Sequence, residues 1–192
     1  MHKYLPKLFV FLDHYNSQIF KNKNQNIGVI YRNYNDKKRE TELIKVANAC
    51  KKNRYQLFVS NDVKLALKVK ATGVYIPSFN KTKKFLNLEK KDIVIIGSAH
   101  NQKEIQTKIS QNCSAIFLSP IFYIKKSEKF LGIHKFNYLS KLNNINIFAL
   151  GGISENNIRK LKLLYISGFG GIRIFKKKPA FKRPVFIKNN FF

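Results

Sequence analysis

Short apolar segments alternate along this chain with segments whose apolar residues recur at helical spacing. Near-continuous apolar runs of this length are typical of strands that are buried on both faces of a parallel sheet. The predicted strands cover residues 8–13, 27–32, 55–60, 73–77, 93–99, 115–122, 146–150 and 170–175. The pattern therefore predicts eight strands, most of them followed by a helix.

The helical segments are less uniform than the strands. Predicted helices cover residues 36–53, 61–69, 102–112 and 136–142, and a weak lysine-rich helix runs through Phe85 and Leu88. In the helix of residues 102–112 we expect Ile105 and Ile109 to face inward. A last helix, with Ile158, Leu161 and Leu164 on one face, is predicted to follow a pair of glycines directly.

A repeated strand–helix unit gives an α/β fold, either a doubly wound sheet or a closed (β/α)8 barrel. Eight units, without a Gly-x-Gly-x-x-Gly motif after the first strand, favour a single (β/α)8 TIM barrel over residues 1–176. Residues 177–192 form a basic and aromatic tail, in which Pro179 and Pro184 disfavour a regular eighth helix. We expect this irregular C-terminal tail to replace the last helix, and either to lie over the bottom of the barrel or to support a homodimer.

Composition limits the classes of function. The chain has 192 residues, of which 44% are apolar, and this suffices for the core of one domain. The net charge of +27 suggests nucleic-acid binding, but the lysines are scattered through the polar segments and no nucleic-acid motif accompanies them. We therefore expect anionic small molecules as partners. No apolar stretch is long enough to span a membrane, and two widely separated cysteines indicate a reduced, cytoplasmic protein.

Ligands of TIM barrels bind at the carboxyl ends of the strands. The residues predicted to lie there are Arg32, Asn61, Asp62, Asn80, Ser98, His100, Ser119, Gly151, Gly152 and Arg173. This set is rich in groups that bind phosphate, and no Ser–His–Asp or Cys–His arrangement is evident in it. The sequence therefore predicts a site for phosphorylated ligands.

The paired glycines Gly151 and Gly152 have two interpretations. They can form a tight strand-to-helix turn, because glycine adopts backbone angles that other residues avoid. They can also bind an anion, because unobstructed backbone N–H groups approach a ligand closely and a following helix adds its N-terminal donors. In TIM barrels the loops after strands seven and eight often bind phosphate, which favours anion binding here together with Ile172 and Arg173.

Five motifs stand in order along residues 5–175. They are GVIYR, SNDVKLALKVKATGVYIP, GSAH, SPIFYIKKSEKFLGIHKF and ALGGISENNI. In this order and spacing they resemble the thiamine-phosphate synthase and thiazole tautomerase superfamily. The resemblance implies a transferase that joins an aminopyrimidine methyl diphosphate to a thiazole phosphate and releases pyrophosphate.

The resemblance also implies a role for each matching residue. Arg32 and Asn61 would contact the diphosphate, and Ser98 would contact the pyrimidine or the diphosphate. Asp62 would be a ligand of Mg²⁺, the expected cofactor, and Lys126 would reach a phosphate. The thiazole phosphate would be held by main-chain groups at Gly151, Gly152, Ile172 and Arg173.

Each of these roles has a simpler alternative. Arg32 and Lys126 can be solvated surface charges, and Ser98 can satisfy a backbone group. Asn61 and Asp62 can simply cap the helix that follows them. His100 is more often a loop histidine than a base in such a position.

The chain departs from the family pattern at several positions. Ile30 and Tyr34 stand where the synthases have glutamine and lysine, and Asn80 stands where a second metal-binding aspartate is found. Ser127 lies in a loop whose threonines have been replaced, and the tautomerase histidine is absent near Pro120. These departures weaken the predicted magnesium site. They leave open an alternative function, a non-catalytic or regulatory binder of phosphorylated thiazole or thiamine-like ligands.

Overall fold

Eight parallel strands close into a barrel. The computed structural model describes residues 4–21, 26–34, 37–85, 92–125 and 129–171. The strands pair in chain order, and the last strand closes against the first. They are β1 Leu8–Leu12, β2 Ile27–Tyr31, β3 Gln56–Ser60, β4 Gly73–Ile76, β5 Val94–Ala99, β6 Ala115–Leu118, β7 Asn146–Ala149 and β8 Gly168–Gly171. The predicted α/β (β/α)8 TIM barrel is thereby confirmed.

Helices connect most of the strands on the outside of the barrel. They are α1 Arg39–Asn53, α2 Val63–Lys68, α3 Gln102–Ser110 and α4 Gly132–Leu142, with 3₁₀ helices at Ser17–Lys21 and Ile158–Leu163. None of the helices in the described ranges has the length and apolarity that a bilayer-spanning segment needs. The last predicted helix, with Ile158 and Leu161, is present only as the 3₁₀ helix Ile158–Leu163. It does not follow the paired glycines directly.

Two strand boundaries within the described residues differ from the prediction by more than one residue. Strand β6 ends at Leu118 and not at residue 122, because Pro120 has no N–H group to continue the ladder. Strand β8 begins at Gly168, where a Cβ atom would lie 2.1 Å from the carbonyl oxygen of Lys7. The predicted strand residues 172–175, Phe175 included, and the tail of residues 177–192 lie outside the described residues. The predicted homodimer therefore stays a prediction.

Aromatic rings fill the interior of the barrel. Phe9 meets Phe117 and Phe148 edge to face, with ring centroids 5.0 Å and 5.2 Å apart. Above it, the ring of Phe11 meets those of Tyr75 and Phe117 edge to face, with ring centroids 5.5 Å and 5.4 Å apart. Such edge-to-face pairs contribute on the order of 1 kcal/mol each beyond the area that they bury. The interior is thus a packed core, and a ligand can bind only above the upper ring layer.

The inner face of α3 carries a buried lysine that the hydrophobic pattern did not indicate. Ile105 is buried as predicted, but Ile109 is 36% exposed, so its predicted inward position is wrong. Lys108 is fully buried in its place. It fits because Gly97 of β5 has no side chain; a Cβ there would lie 2.8 Å from the Cδ of Lys108.

Lys108 binds the loop that follows β4. Its Nζ donates to the carbonyl oxygens of Pro77 at 2.8 Å and Asn80 at 2.7 Å, and to Oε1 of Gln111 at 2.9 Å. The carbonyl oxygen of Pro77 also accepts the backbone N–H of Asn80 at 3.1 Å, so it closes a turn as well. The predicted lysine-rich helix is absent from the described residues 77–85, while Leu88 lies outside them.

Replacing Lys108 should destabilise the fold more than replacing an exposed lysine on the same helix. Lys108→Met removes the buried donor of these three hydrogen bonds, and we expect a loss of about 3 kcal/mol in the free energy of unfolding. Lys103→Met is the matched control, since Lys103 is exposed on α3. Urea denaturation of both variants measures the difference. Equal losses would contradict the assigned role of Lys108.

The same lysine should make stability depend on pH. Burial lowers the pKa of Lys108 from its ordinary value of 10.5 to about 8. Because the folded pKa is depressed, this group contributes stability that is fully present above 10.5 and lost as the pH falls through about 8. We expect the stability difference between the wild type and Lys108→Met to grow from pH 8 to pH 10.5. If the stability difference between the wild type and Lys108→Met is constant over this pH range, the lowered pKa of Lys108 is refuted.

Candidate active site

Three serines lie at the carboxyl-end rim of the barrel, which we call the mouth. Ser60 ends β3, Ser98 lies in β5 and Ser119 follows β6, and they are 0%, 5% and 7% exposed. Each stands two residues after an inward-facing apolar residue, so strand alternation points it into the barrel. The mouth therefore has hydroxyl groups directly above the aromatic core.

Two tyrosines bind these serines. The Tyr34 hydroxyl lies 2.7 Å from Oγ of Ser60, and the Tyr75 hydroxyl is hydrogen-bonded to Ser98. Burial raises the pKa of Tyr34 despite its bond to Ser60 and the nearby arginines, and burial also raises the pKa of Tyr75. Both phenols are therefore neutral at physiological pH. Ser98 binds a side chain and not the backbone group that the simpler alternative proposed.

Sequence reasoning missed Ser60 and Tyr75 as members of the site. A signal was present, because β3, β5 and β6 all end in an apolar run that reaches a serine. Extending the inward alternation by one step would have placed all three serines at the mouth. No pattern in the sequence distinguishes Tyr75 from the other residues of β4.

Arg32 lies at the mouth, as predicted from its strand-end position. Its Nε donates to Oδ1 of Asp13 at 3.0 Å and its Nη2 to Oδ2 at 3.4 Å. The guanidinium lies 5.8 Å from the ring centre of Phe11, at the top of the aromatic core. Its side chain is 34% exposed. Arg32 is thus oriented by an acid and still accessible to an anionic ligand.

Asp62 caps α2, which is the simpler of its two interpretations. Its Oδ1 accepts a hydrogen bond from the backbone N–H of Leu65 at 3.0 Å. Its Oδ2 pairs with Nη1 of Arg39 at 3.2 Å, and Nη2 of Arg39 donates to the carbonyl oxygen of Ser60 at 2.6 Å. Sequence reasoning missed Arg39, because it follows other basic residues at the start of α1 and no motif marks it.

Asn61 connects two loops of the mouth. It has a positive φ of 59°, a conformation in which asparagine is more common than most residues. Its Oδ1 accepts a short hydrogen bond from Nδ2 of Asn80, whose own Oδ1 accepts from the backbone N–H of Thr82 at 2.8 Å. Asn80, in the place of the family's second aspartate, is therefore part of the loop's own hydrogen bonding.

The oxygen atoms that could hold Mg²⁺ already have partners. Both oxygens of Asp62 and the side-chain oxygens of Asn61 and Asn80 accept the hydrogen bonds given above. A divalent cation on Asp62 would also lie beside the positive charge of Arg39. No group of three or more His, Cys, Asp and Glu side chains that could hold a metal occurs in the described part of the chain. The described residues therefore fit the expected ion poorly, and its presence stays a prediction.

His100 has a defined orientation at the mouth. Its Nδ1 lies 2.7 Å from the carbonyl oxygen of Ser119, so we assign the proton to Nδ1 as the donor. Its Nε2 then faces Oγ of Ser78 at 3.1 Å as an acceptor. The ring links the loops after β4, β5 and β6. This agrees with the interpretation of His100 as a loop histidine and not a base.

The paired glycines are required by close packing. Gly151 and Gly152 have φ angles of 90° and 73°. A Cβ on Gly152 would lie 2.5 Å from the carbonyl oxygen of Phe122, and one on Gly151 would lie 2.8 Å from Cβ of Pro120. The carbonyl of Gly151 also accepts from the N–H of Phe122 at 3.2 Å. The tight-turn interpretation is thus sufficient to explain both glycines.

Anion binding, the second interpretation of Gly151 and Gly152, was predicted partly from a helix directly after them. No helix follows directly, since the 3₁₀ helix begins only at Ile158. Within the described residues, however, neither glycine N–H donates a hydrogen bond. Anion binding by these groups stays a prediction. The further predicted site residues Lys126, Ile172 and Arg173, and the divergent Ser127, lie outside the described residues.

A parallel barrel with an arginine, hydroxyl groups and amides at its mouth defines a TIM-barrel protein with a polar, basic ligand site. Residues 21–174 match the family model described as thiamine monophosphate synthase, and the chain belongs to that family. The membership confirms the resemblance seen in the motifs.

Individual relatives agree with this family. The thiamine-phosphate synthase of Prochlorococcus marinus subsp. pastoris is 34% identical over 139 residues, which are 69% of this chain and 38% of that protein. That of Hydrogenobaculum sp. is 24% identical, over 72% of this chain and 66% of that protein. The chain thus spans little more than a third of the length of the Prochlorococcus relatives.

A solved structure confirms the fold independently. Thiamine phosphate pyrophosphorylase from Pyrococcus furiosus superposes with a TM-score of 0.70. The match covers 88% of this chain and 90% of that one, at 16% identity. At this identity the likeness concerns the barrel itself and not the chemistry of its mouth.

Substitution at the paired glycines should separate packing from backbone strain. Gly152→Ala combines a strained positive φ with a clash against backbone, and we expect a loss of about 3 kcal/mol. Gly132→Ala is the control, because Gly132 has a φ of 67° with nothing within 4 Å of its Cβ position. It should lose only about 1 kcal/mol. Denaturant unfolding measures both, and similar losses would contradict the packing role.

Proposed function

We propose that this protein is a transferase of the thiamine-phosphate synthase type. It joins an aminopyrimidine methyl diphosphate to a thiazole phosphate and releases pyrophosphate. The observation that carries the proposal is the position of Arg32, which lies over the aromatic core at the mouth in a chain of this family. The named relatives are thiamine-phosphate synthases, and the activity is proposed by analogy with them.

The proposed reaction breaks one bond and forms another. The carbon–oxygen bond between the pyrimidine methylene and the diphosphate breaks, and its electron pair leaves with pyrophosphate. The lone pair of the thiazole nitrogen then forms the new carbon–nitrogen bond, and the positive charge passes to the thiazolium ring. No proton has to be transferred in these two steps. The protein's task is therefore to bind both anions and to align the reacting atoms.

The residues of the mouth support this task. Arg32 holds the diphosphate, whose negative charge increases as the bond breaks. The rings of Phe11 and Tyr75 form an apolar base for the flat pyrimidine, and the neutral hydroxyls of Ser98 and Tyr34 supply hydrogen bonds that orient it. The N–H groups of the glycine pair bind the thiazole phosphate, together with the predicted residues outside the described ranges.

The proposed setting is the cytoplasm, with small phosphorylated metabolites as partners. The two cysteines, Cys50 and Cys113, are free and buried. Burial raises the pKa of both thiols to about 12, which keeps them in the unreactive protonated form. Such cysteines are compatible with a reducing compartment.

Turnover of the two substrates tests the proposal. We expect purified protein to form thiamine phosphate and pyrophosphate, and Arg32→Met to lower the rate by about 100-fold. Lys51→Met is the matched control, because it also removes one positive charge but lies exposed in the last turn of α1, away from the mouth. Chromatographic detection of thiamine phosphate measures both rates.

The same protein also decides between the proposal and its alternative. Absence of product, with thermal stabilisation by thiazole phosphate or thiamine phosphate, would support a non-catalytic or regulatory binder. Equal rates for Arg32→Met and the wild type would refute the position assigned to the diphosphate.

A further inference from the structure

The carboxylate that the family resemblance assigns to Mg²⁺ is already neutralised by a side chain of the protein. Arg39 pairs with Oδ2 of Asp62 at 3.2 Å, and the amide of Leu65 occupies Oδ1. We infer that the mouth holds its diphosphate ligand without a divalent cation, because the guanidinium of Arg39 balances Asp62 in place of the metal. The inference rests on the proposed function and concerns the same site.

Arg39 is held in this position by several contacts. Its Nη2 donates to the carbonyl oxygen of Ser60 at 2.6 Å, and its own carbonyl oxygen accepts from the Tyr31 hydroxyl at 3.1 Å. The side chains of Arg39 and Asp62 are only 17% and 27% exposed. A partly buried pair with additional hydrogen bonds loses more on separation than an exposed one. A metal ion would therefore have to displace a positioned guanidinium.

The neighbouring oxygen donors do not compensate for this loss. Mg²⁺ requires near-octahedral oxygen ligands and usually takes carboxylates from the protein. Asn61 and Asn80 offer neutral amide oxygens, and these accept hydrogen bonds from Asn80 and from the backbone of Thr82. Asp62 is thus the carboxylate of this oxygen cluster, and its charge is already balanced.

Fixed positive charge can replace the metal in attracting the ligand. The chain carries 37 Lys and Arg residues against 10 Asp and Glu residues, a net charge of +27. A field of this sign concentrates anions at the surface without a bound cation. Arg32 supplies a directed contact at the mouth, since its side chain is 34% exposed beside Asp13.

Binding of inorganic pyrophosphate with and without Mg²⁺ tests the inference. Isothermal titration of the wild-type protein should give the same dissociation constant, within about twofold, in EDTA and in excess Mg²⁺. Titration into buffer alone gives the background heat, and the dissociation constant is expressed per concentration of free pyrophosphate, after allowance for the pyrophosphate that Mg²⁺ binds in solution. The readout is affinity, so it does not depend on turnover.

Removal of Arg39 should create a metal requirement that the wild type lacks. In Arg39→Met the carboxylate of Asp62 is unbalanced and repels the anion, so we expect pyrophosphate binding in EDTA to weaken by about tenfold. Added Mg²⁺ should restore it. In the double variant Arg39→Met with Asp62→Asn, binding should again be independent of Mg²⁺. Lys68→Met is the matched control, because it removes an exposed ion pair with Glu40 between the same two helices.

The outcomes separate this inference from the proposed function. A wild-type protein that binds pyrophosphate only with Mg²⁺ overturns the inference, whereas thiamine phosphate formation would still support the function. No binding of pyrophosphate under either condition overturns the inference as well. Metal-independent binding without any turnover supports the inference for the anion site and refutes the transferase. If Arg39→Met does not fold, as judged by circular dichroism, the wild-type comparison alone remains decisive.

Discussion

Alternation of side chains along parallel strands is the constraint on which the site depends. In a closed barrel every strand ends at the same rim, and residues two apart point into the same interior. Phe58 and Phe117 therefore fill the interior, while Ser60 and Ser119 reach the mouth directly above them. Polar groups are thus fixed on an apolar, water-excluding base. Hydrogen bonds and charges act more strongly there than in open solvent.

Two ion pairs arrange the charged groups of the mouth. Arg32 pairs with Asp13 after β1, and Arg39 pairs with Asp62 after β3. The more exposed of the two, Arg32 with Asp13, contributes only about 1 kcal/mol or less to stability, so its effect is mainly orientation. The chain has few acidic residues, and two of them, Asp13 and Asp62, lie beside arginines at the mouth. These two acids therefore set the orientation of the arginines that can contact a ligand.

The hydrogen bonds of the loops explain how the divergent positions are accommodated. Tyr34, in place of a lysine, donates to or accepts from Ser60. Asn80, in place of an aspartate, bonds Asn61 and stands on a loop whose carbonyls are held by Lys108. Each replacement is a neutral group with partners inside the protein. At these two expected departures from the family pattern the side chains thus form internal hydrogen bonds.

Much of the fold was predictable because buried parallel strands carry a local signal. The apolar runs identified all eight strands, and helical spacing over residues 36–53 identified α1. Positions at strand ends likewise placed Arg32 and Ser98 at the mouth. The boundary error at β6 arose because the apolar run continues past Pro120. The loop after β4, as far as residues 77–85 describe it, bonds to Lys108, a distant residue that no local pattern of this loop contains.

The sequence by itself determined the barrel, the family and the edge at which a ligand is expected, because these follow from periodicity and from motifs of adjacent residues. Only the tertiary structure decided the partners of the polar groups. Arg39 meets Asp62 across 23 residues, and Lys108 reaches Pro77 across 31. Hydrogen bonds between such distant residues depend on how loops and helices pack against the barrel. For that reason only part of the composition of the mouth was predictable, and the ion pair that Asp62 makes at the tip of β3 was not.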